Sequence, residues 1–165
     1  MTHYNIDVLL DNMAQQLQSE FQKKGISNPL MIGIHTGGAW VAQRLHQILG
    51  LSQPLGTLNI SFYRDDFTRI GVHPQVAPSA LITPVENQHI VLVDDVLYTG
   101  RTIRAALNEI FDYGRPSSIS LSVLVDRSGR ELPIQPDVVG MHMALSETQQ
   151  IKLTGPDPLA LIVSE

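Results

Sequence analysis

The sequence predicts an α/β fold with a central, mostly parallel sheet flanked by helices. Three observations predict it. Short apolar runs of strand length alternate with stretches of helical periodicity, Gly and Pro punctuate the junctions, and three polar segments directly follow strand candidates.

Ile6, Leu10, Met13, Leu17 and Phe21 recur at spacings of three and four, so the chain opens with an amphipathic helix that stops near Gly25. Leu30–Ile34 is a short apolar run and reads as a buried strand. It turns at Thr36-Gly37-Gly38 into a helix across Val41, Leu45 and Ile48 that ends at Gly50. Leu58, Ile60 and Phe62 alternate with Asn59, Ser61 and Tyr63, the period of a strand with one face buried. That strand ends at Arg64-Asp65-Asp66, and from there to Glu86 Gly71, Pro74, Pro78 and Pro84 break any sustained period. So long a loop in a compact domain is expected to act as a flexible flap.

His89–Val93 is the next buried strand, followed by a helix over Thr102–Tyr113 with Ile103, Ala106, Leu107 and Ile110 on one face and Gly114 at its end. Ser118, Ser120 and Ser122 interleave with Ile119, Leu121, Val123 and Val125 in a strand running out into Asp126-Arg127-Ser128-Gly129. Further strands are predicted at Val138–Met141 and Leu159–Val163. No repeat, low-complexity tract or linker divides the chain, so residues 1–165 are read as a single domain.

Composition narrows the function classes. Hydrophobic residues make up 43% and charged residues 16%, a globular balance. Without cysteine there is no disulfide framework, thiolate nucleophile or Cys-containing zinc site, and the expected compartment is the cytoplasm. Neither a secretory leader nor an apolar run of membrane-spanning length is apparent, so no membrane partner is expected. The net charge of −5 argues against a broad electrostatic footprint for nucleic acid. His3, His35, His46, His73, His89 and His142 are dispersed without metal-ligand spacing, so no direct all-protein metal site is expected. Trp40 reads as helix packing.

Ligands of open parallel sheets bind beyond the C-terminal strand ends. His35–Gly38, Asp94–Thr102 and Asp126–Gly129 all stand at such ends and are expected to share one crevice. The chemistry is concentrated in Val91-Leu92-Val93-Asp94-Asp95-Val96-Leu97-Tyr98-Thr99-Gly100-Arg101-Thr102. Adjacent carboxylates suit the vicinal hydroxyls of a ribose, with a magnesium ion on the same sugar held through water. Beyond them, backbone N–H groups of Thr99–Thr102 at a helix N-terminus, joined by the Thr99 and Thr102 hydroxyls, suit a phosphate. Taken singly, these residues also suit an exposed turn and a helix cap. Their order, acids after apolar residues and before a phosphate-type loop, is what a sugar phosphate requires. A Walker loop and a GxGxxG fingerprint are both missing.

Val91–Thr102 resembles the motif that binds phosphoribosyl diphosphate (PRPP) in type I phosphoribosyltransferases. More narrowly, Tyr63-Arg64-Asp65-Asp66, Val93–Thr102, Gly114-Arg115-Pro116-Ser117-Ser118, Val125-Asp126-Arg127 and Arg130-Glu131-Leu132-Pro133 resemble the PyrR family, in order along nearly the whole chain. The resemblance implies the type I phosphoribosyltransferase fold, with a small hood and the flap. It also implies a glycosyltransferase that couples uracil to PRPP, giving UMP and pyrophosphate. In some bacteria members of this family also bind UMP or UTP and pyrimidine-operon leader RNA to regulate transcription.

By the same resemblance Asp94 and Asp95 hold the ribose hydroxyls, and Val96, Leu97, Tyr98, Thr99, Gly100, Arg101 and Thr102 form the phosphate-binding stretch. His35, Thr36, Gly37 and Gly38 form the pyrophosphate loop, Arg64 and Asp65 stand at the root of the flap, and Asp126 and Arg127 border the base pocket. Mg²⁺ comes with PRPP, and the chain is expected to form a homodimer or larger homo-oligomer.

Three features depart from the patterns of related proteins. Relatives often carry an arginine in the pyrophosphate loop where this chain has Gly37, which lowers positive charge there unless Arg64 and Arg69 substitute. Purine-salvage relatives place an acid near Tyr98, and its lack here favours a pyrimidine acceptor, with orotate or a purine still open. Gln135 and Met141 stand where regulatory members present positive side chains, leaving Arg104, Arg115, Arg127 and Arg130 as the cations for RNA. The alternative reading is therefore a UMP- or UTP-sensing regulator with weak or vestigial catalysis. PRPP synthase is disfavoured by length.

Overall fold

The computed structural model describes residues 2–60 and 79–165. Helix α1 (Ile6–Lys24) is opened by Asn5, whose side chain accepts from the amide of Val8, and is closed by Gly25 in the left-handed conformation. Strand β1 (Leu30–Ile34) is buried throughout and leads into α2 (Gly37–Leu49), which ends at Gly50. Then follow β2 (Gly56–Leu58), β3 (His89–Leu97), α3 (Arg101–Tyr113), β4 (Ser118–Arg127), β5 (Val138–Met143), β6 (Gln150–Thr154) and β7 (Ala160–Ser164).

Five strands form one sheet in the order β2-β1-β3-β4-β5, and every neighbouring pair is parallel. All five C-terminal ends therefore lie along one edge. The sheet separates two apolar clusters. On one face Leu10, Leu17, Val41 and Leu45 from α1 and α2 pack on Met31, Val91 and Val93; on the other Ile103, Ala106 and Ile110 from α3 pack on Ile32, Leu92 and Val123. Alternate residues of β1 and β3 serve opposite clusters, as the two-residue period of a strand requires. The expected small hood is the antiparallel pair β6 and β7, which gives Leu153 and Leu161 to the α1/α2 cluster. Among the described residues no helix is long and apolar enough to cross a membrane.

The structure departs from the sequence-based expectation in four places. Strand β3 does not stop at Val93: Asp94, Val96 and Leu97 still pair with Val123, Val125 and Asp126 of β4. Strand β4 likewise runs to Arg127, because β5 pairs with it as far as Met143. The strand expected over Leu58–Phe62 begins earlier, at Gly56, and Asn59 is buried along with Leu58 and Ile60, so the alternation does not divide buried from exposed residues. Strand β6 was not predicted; five residues of mixed polarity carry little periodic signal.

Of the expected flap, residues 61–78 lie outside the described residues. Its return is anchored: Thr57 and Ala80 exchange backbone hydrogen bonds of 2.9 and 2.8 Å, and Val85 is in the α3-side cluster. The Ser79 hydroxyl accepts from the Asn59 amide and donates to the buried Glu109 carboxylate of α3.

Candidate active site

Strand β1 ends at Ile34, and its pairing with β3 stops at the Gly33–Val93 step. Asp94 and Asp95 come immediately after that step, so β3 has lost its neighbour on one side while β4 still supports it on the other. Alternation along β3 also slips there. Val91 and Val93 face the α1/α2 cluster, yet Val96 packs on that same cluster and Leu97 on the opposite one. A one-residue slip of this kind re-aims the side chains at the step where it occurs. The Asp94 Oδ1 accepts from the Asp95 amide at 2.9 Å and the Asp95 Oδ1 from the Val96 amide at 2.8 Å, which orients both carboxylates. Asp94 is 5% exposed, while Asp95 is only partly buried.

Because β3 continues through Leu97, two residues expected to bind phosphate do not present side chains for it. Val96 packs against the α1/α2 cluster and Leu97 is buried in the other. The turn proper begins at Tyr98.

The segment from His35 to Gly38 meets the aspartates directly. Its His35 amide donates to Leu58 at 2.9 Å, the His35–Thr36 peptide is cis, and α2 starts at Gly37 with Thr36 as a cap that makes no side-chain bond. Among the described residues the first amides of α2 are thereby left without an acceptor. A Cβ on Gly38 would lie 2.8 Å from the Val93 carbonyl oxygen and 2.9 Å from the Asp94 Cα, and one on Gly37 would overlap the Asp95 Oδ2. Two successive glycines thus face two successive aspartates, and only residues without side chains allow that approach.

After Leu97 the chain turns through Gly100, whose φ of +97° suits glycine, into α3. The amides of Thr99, Gly100 and Thr102 meet no acceptor among the described residues, whereas that of Arg101 donates to the Thr99 Oγ1 at 3.2 Å. Unpaired amides at a helix mouth are an anion site. The Arg101 side chain points elsewhere, to Glu131 at 3.0 Å on the surface.

Asp126 and Arg127 close the third side. An open groove of about 490 Å³ is lined by residues 126–130 and 142–144. Asp126 is held by Arg130 at 2.5 Å and approached by His142 at 3.3 Å. Arg127 is 5% exposed; its terminal nitrogens donate to the Gln149 and Ser146 carbonyls at 3.1 and 3.0 Å, and its guanidinium lies 3.9 Å from the centre of the Tyr98 ring. Arg127 and Arg130 are therefore committed inside the molecule, which corrects the expectation that both are available to RNA. Arg104 and Arg115 remain at the surface.

Contacts thus join His35–Gly38 to Asp94 and Asp95, and the turn after β3 to residues 126–130. Arg64, Asp65 and Arg69 lie outside the described residues. Sequence reasoning missed the support given to the turn by Gly129 and Arg130: a Cβ on Gly129 would strike the Tyr98 ring, and Arg130 donates to the Tyr98 carbonyl. The signals were the strand-end segment Asp126–Gly129 and the string Arg130–Pro133. Among the described residues no group of three or more His, Cys, Asp or Glu is arranged to hold a metal.

The phosphoribosyl transferase domain family matches residues 4–153. "Bifunctional protein PyrR" of Nitrosococcus oceani is 63% identical over 157 residues, covering 94% of this chain and 89% of that protein. The protein of the same name from Pseudomonas paraeruginosa is 60% identical over 153 residues, covering 93% and 90%. Among solved structures, the hypoxanthine phosphoribosyltransferase of Trypanosoma cruzi superposes with a TM-score of 0.69 at 21% identity over 96% of this chain and 90% of that one. A hypoxanthine-guanine-xanthine phosphoribosyltransferase gives 0.62 at 20% identity over 86% and 77%. At those identities the likeness is one of fold.

Proposed function

Since the chain belongs to the phosphoribosyltransferase family, in its PyrR branch, we propose that it transfers the phosphoribosyl group of PRPP to uracil, forming UMP and releasing pyrophosphate. The observation that carries this reading is the convergence of oriented aspartates, a glycine-lined helix start and a second helix mouth with unpaired amides at one edge of the sheet.

The roles follow from that arrangement. Asp94 and Asp95 take the ribose hydroxyls. The amides of Thr99, Gly100 and Thr102 take the 5′-phosphate, with the hydroxyls of Thr99 and Thr102 beside them. The start of α2, with His35 and Thr36 ahead of it, receives the leaving pyrophosphate through backbone N–H groups, since Gly37 supplies no positive side chain. Asp126 borders the base, and Arg127 shapes that border from inside by fixing Tyr98 and residues 146–149. Positive charge grows on the ribose as pyrophosphate departs, so the protein's work is to hold the sugar, stabilise the leaving group and exclude water. Arg64 and Asp65 are assigned to that closure on the family resemblance.

Two acids beside a sugar site, with no third ligand among the described residues, fit Mg²⁺ arriving with PRPP better than a resident ion. When bound, Mg²⁺ neutralises the pyrophosphate oxygens.

A side-by-side turnover assay with uracil, orotate, adenine, hypoxanthine and guanine tests the reading. Pyrophosphate release with uracil is expected; PRPP binding without turnover of uracil overturns it. The shared name "Bifunctional protein PyrR" favours a second function, regulation of pyrimidine genes through leader RNA. With Arg127 and Arg130 committed internally and a net charge of −5, binding rests on fewer phosphate contacts, so it is weak and its fall with salt is shallow. A gel shift with leader RNA, with and without UMP, at two salt concentrations measures it.

A further inference from the structure

The turn that offers amides to phosphate does not hold its own shape; the segment after β4 holds it. Tyr98 is gripped at three points: its ring lies under the Arg127 guanidinium, the backbone of Gly129 closes on the ring edge, and its carbonyl accepts from the Arg130 Nη1. The next carbonyl, that of Thr99, accepts from the amides of Glu131 at 3.0 Å and Leu132 at 3.1 Å. Gly100 then rests against Leu132 and Ile134.

A trans peptide is planar, so the carbonyl of one residue and the N–H of the next point in opposite directions. Pinning the Tyr98 carbonyl to Arg130 therefore turns the Thr99 N–H away from Arg130. Pinning the Thr99 carbonyl to residues 131 and 132 does the same for the Gly100 N–H. Two consecutive amides are thus presented on the side opposite the supporting segment, where neither has a protein acceptor among the described residues. Arg130 is itself aimed by Asp126, which accepts from its Nη2 at 2.5 Å, both side chains being largely buried.

We propose that Arg130 is a positioning residue for the phosphate site: clamped by Asp126, it fixes the Tyr98 carbonyl and so the direction of the Thr99 amide. The role rests on the phosphoribosyl-transfer reading and goes beyond it, because Arg130 is assigned to act through the Tyr98 carbonyl and not on the substrate itself. It predicts that loss of Arg130 weakens every ligand carrying the 5′-phosphate, whatever its base.

The test is calorimetric titration of the full chain with UMP and with ribose 5-phosphate, alongside thermal melting. For Arg130→Gln both ligands are expected to lose affinity by the same factor, about tenfold, the worth of one charge-assisted hydrogen bond. Arg130→Lys, with one donor nitrogen in place of a planar fork, is expected to recover part of the loss. Asp126→Asn, which keeps the shape and removes the charge that aims Arg130, serves as a second variant if Arg130→Gln does not fold. It too is expected to lower ribose 5-phosphate affinity. A folded variant that loses UMP but keeps ribose 5-phosphate would assign Arg130 to the base pocket, and unchanged affinity for both would exclude the role; either outcome overturns the proposal. A wild-type chain that takes up neither ligand would instead sink the phosphoribosyl-transfer reading itself.

Discussion

Gly37 stands so close to Asp95 that a Cβ on the glycine would overlap the Oδ2 of the carboxylate. The first turn of α2 and the Asp95 carboxylate of β3 are therefore packed as one unit, and glycine is what lets them meet. The same contact makes the lack of an arginine at position 37 more than a lost charge: with the segment in this position, no side chain fits there.

Adjacent glycines should separate function from stability. Gly37→Ala displaces Asp95 or the loop, and a misplacement near 1 Å at such a site costs on the order of 100-fold in kcat/KM. Gly38→Ala meets the Val93 carbonyl and the Asp94 Cα, backbone that cannot yield cheaply, and should destabilise the fold by about 1 to 3 kcal/mol. Steady-state kinetics and urea unfolding on both variants check the contrast.

Asp95→Asn keeps an oxygen for the Val96 amide, so folding should be retained. Removing the charge from a group proposed to hold the ribose is expected to lower kcat/KM by about 10- to 100-fold with little change in melting temperature. Initial rates at varied PRPP measure it.

Arg127→Met removes the bonds to the Ser146 and Gln149 carbonyls and the stack on Tyr98. Bonds from a buried cation outweigh the relief of not burying it when both carbonyls are left without a partner. A loss of about 2 to 4 kcal/mol is expected, read as a lower urea midpoint at unchanged slope.

Ser79→Ala takes an acceptor from the Asn59 amide and a donor from Glu109, whose Oε2 is already buried without a partner among the described residues. The expected cost is about 1 to 3 kcal/mol in urea unfolding. Glu109→Gln, which keeps an acceptor for Ser79, should be far milder.

The strands, the helices and the segment that carries the chemistry were legible because each is written in neighbouring residues. The apolar stripe of α1, the run Leu30–Ile34, the helix over residues 102–113 and the string Val91–Thr102 depend on local periodicity or local order, and β6 escaped notice because it has neither. Whether β3 stopped at Val93 was not written locally. That depended on β4 continuing beside it after β1 had ended, which let the strand run on and turned Val96 and Leu97 into core residues. Gly37 against Asp95, Arg127 over Tyr98 and Arg130 on the Tyr98 carbonyl each join residues far apart in the chain. Tertiary packing alone decided those contacts, because a hydrogen bond or a steric fit is set by distance in space, and composition and spacing carry no record of which distant backbone will arrive there.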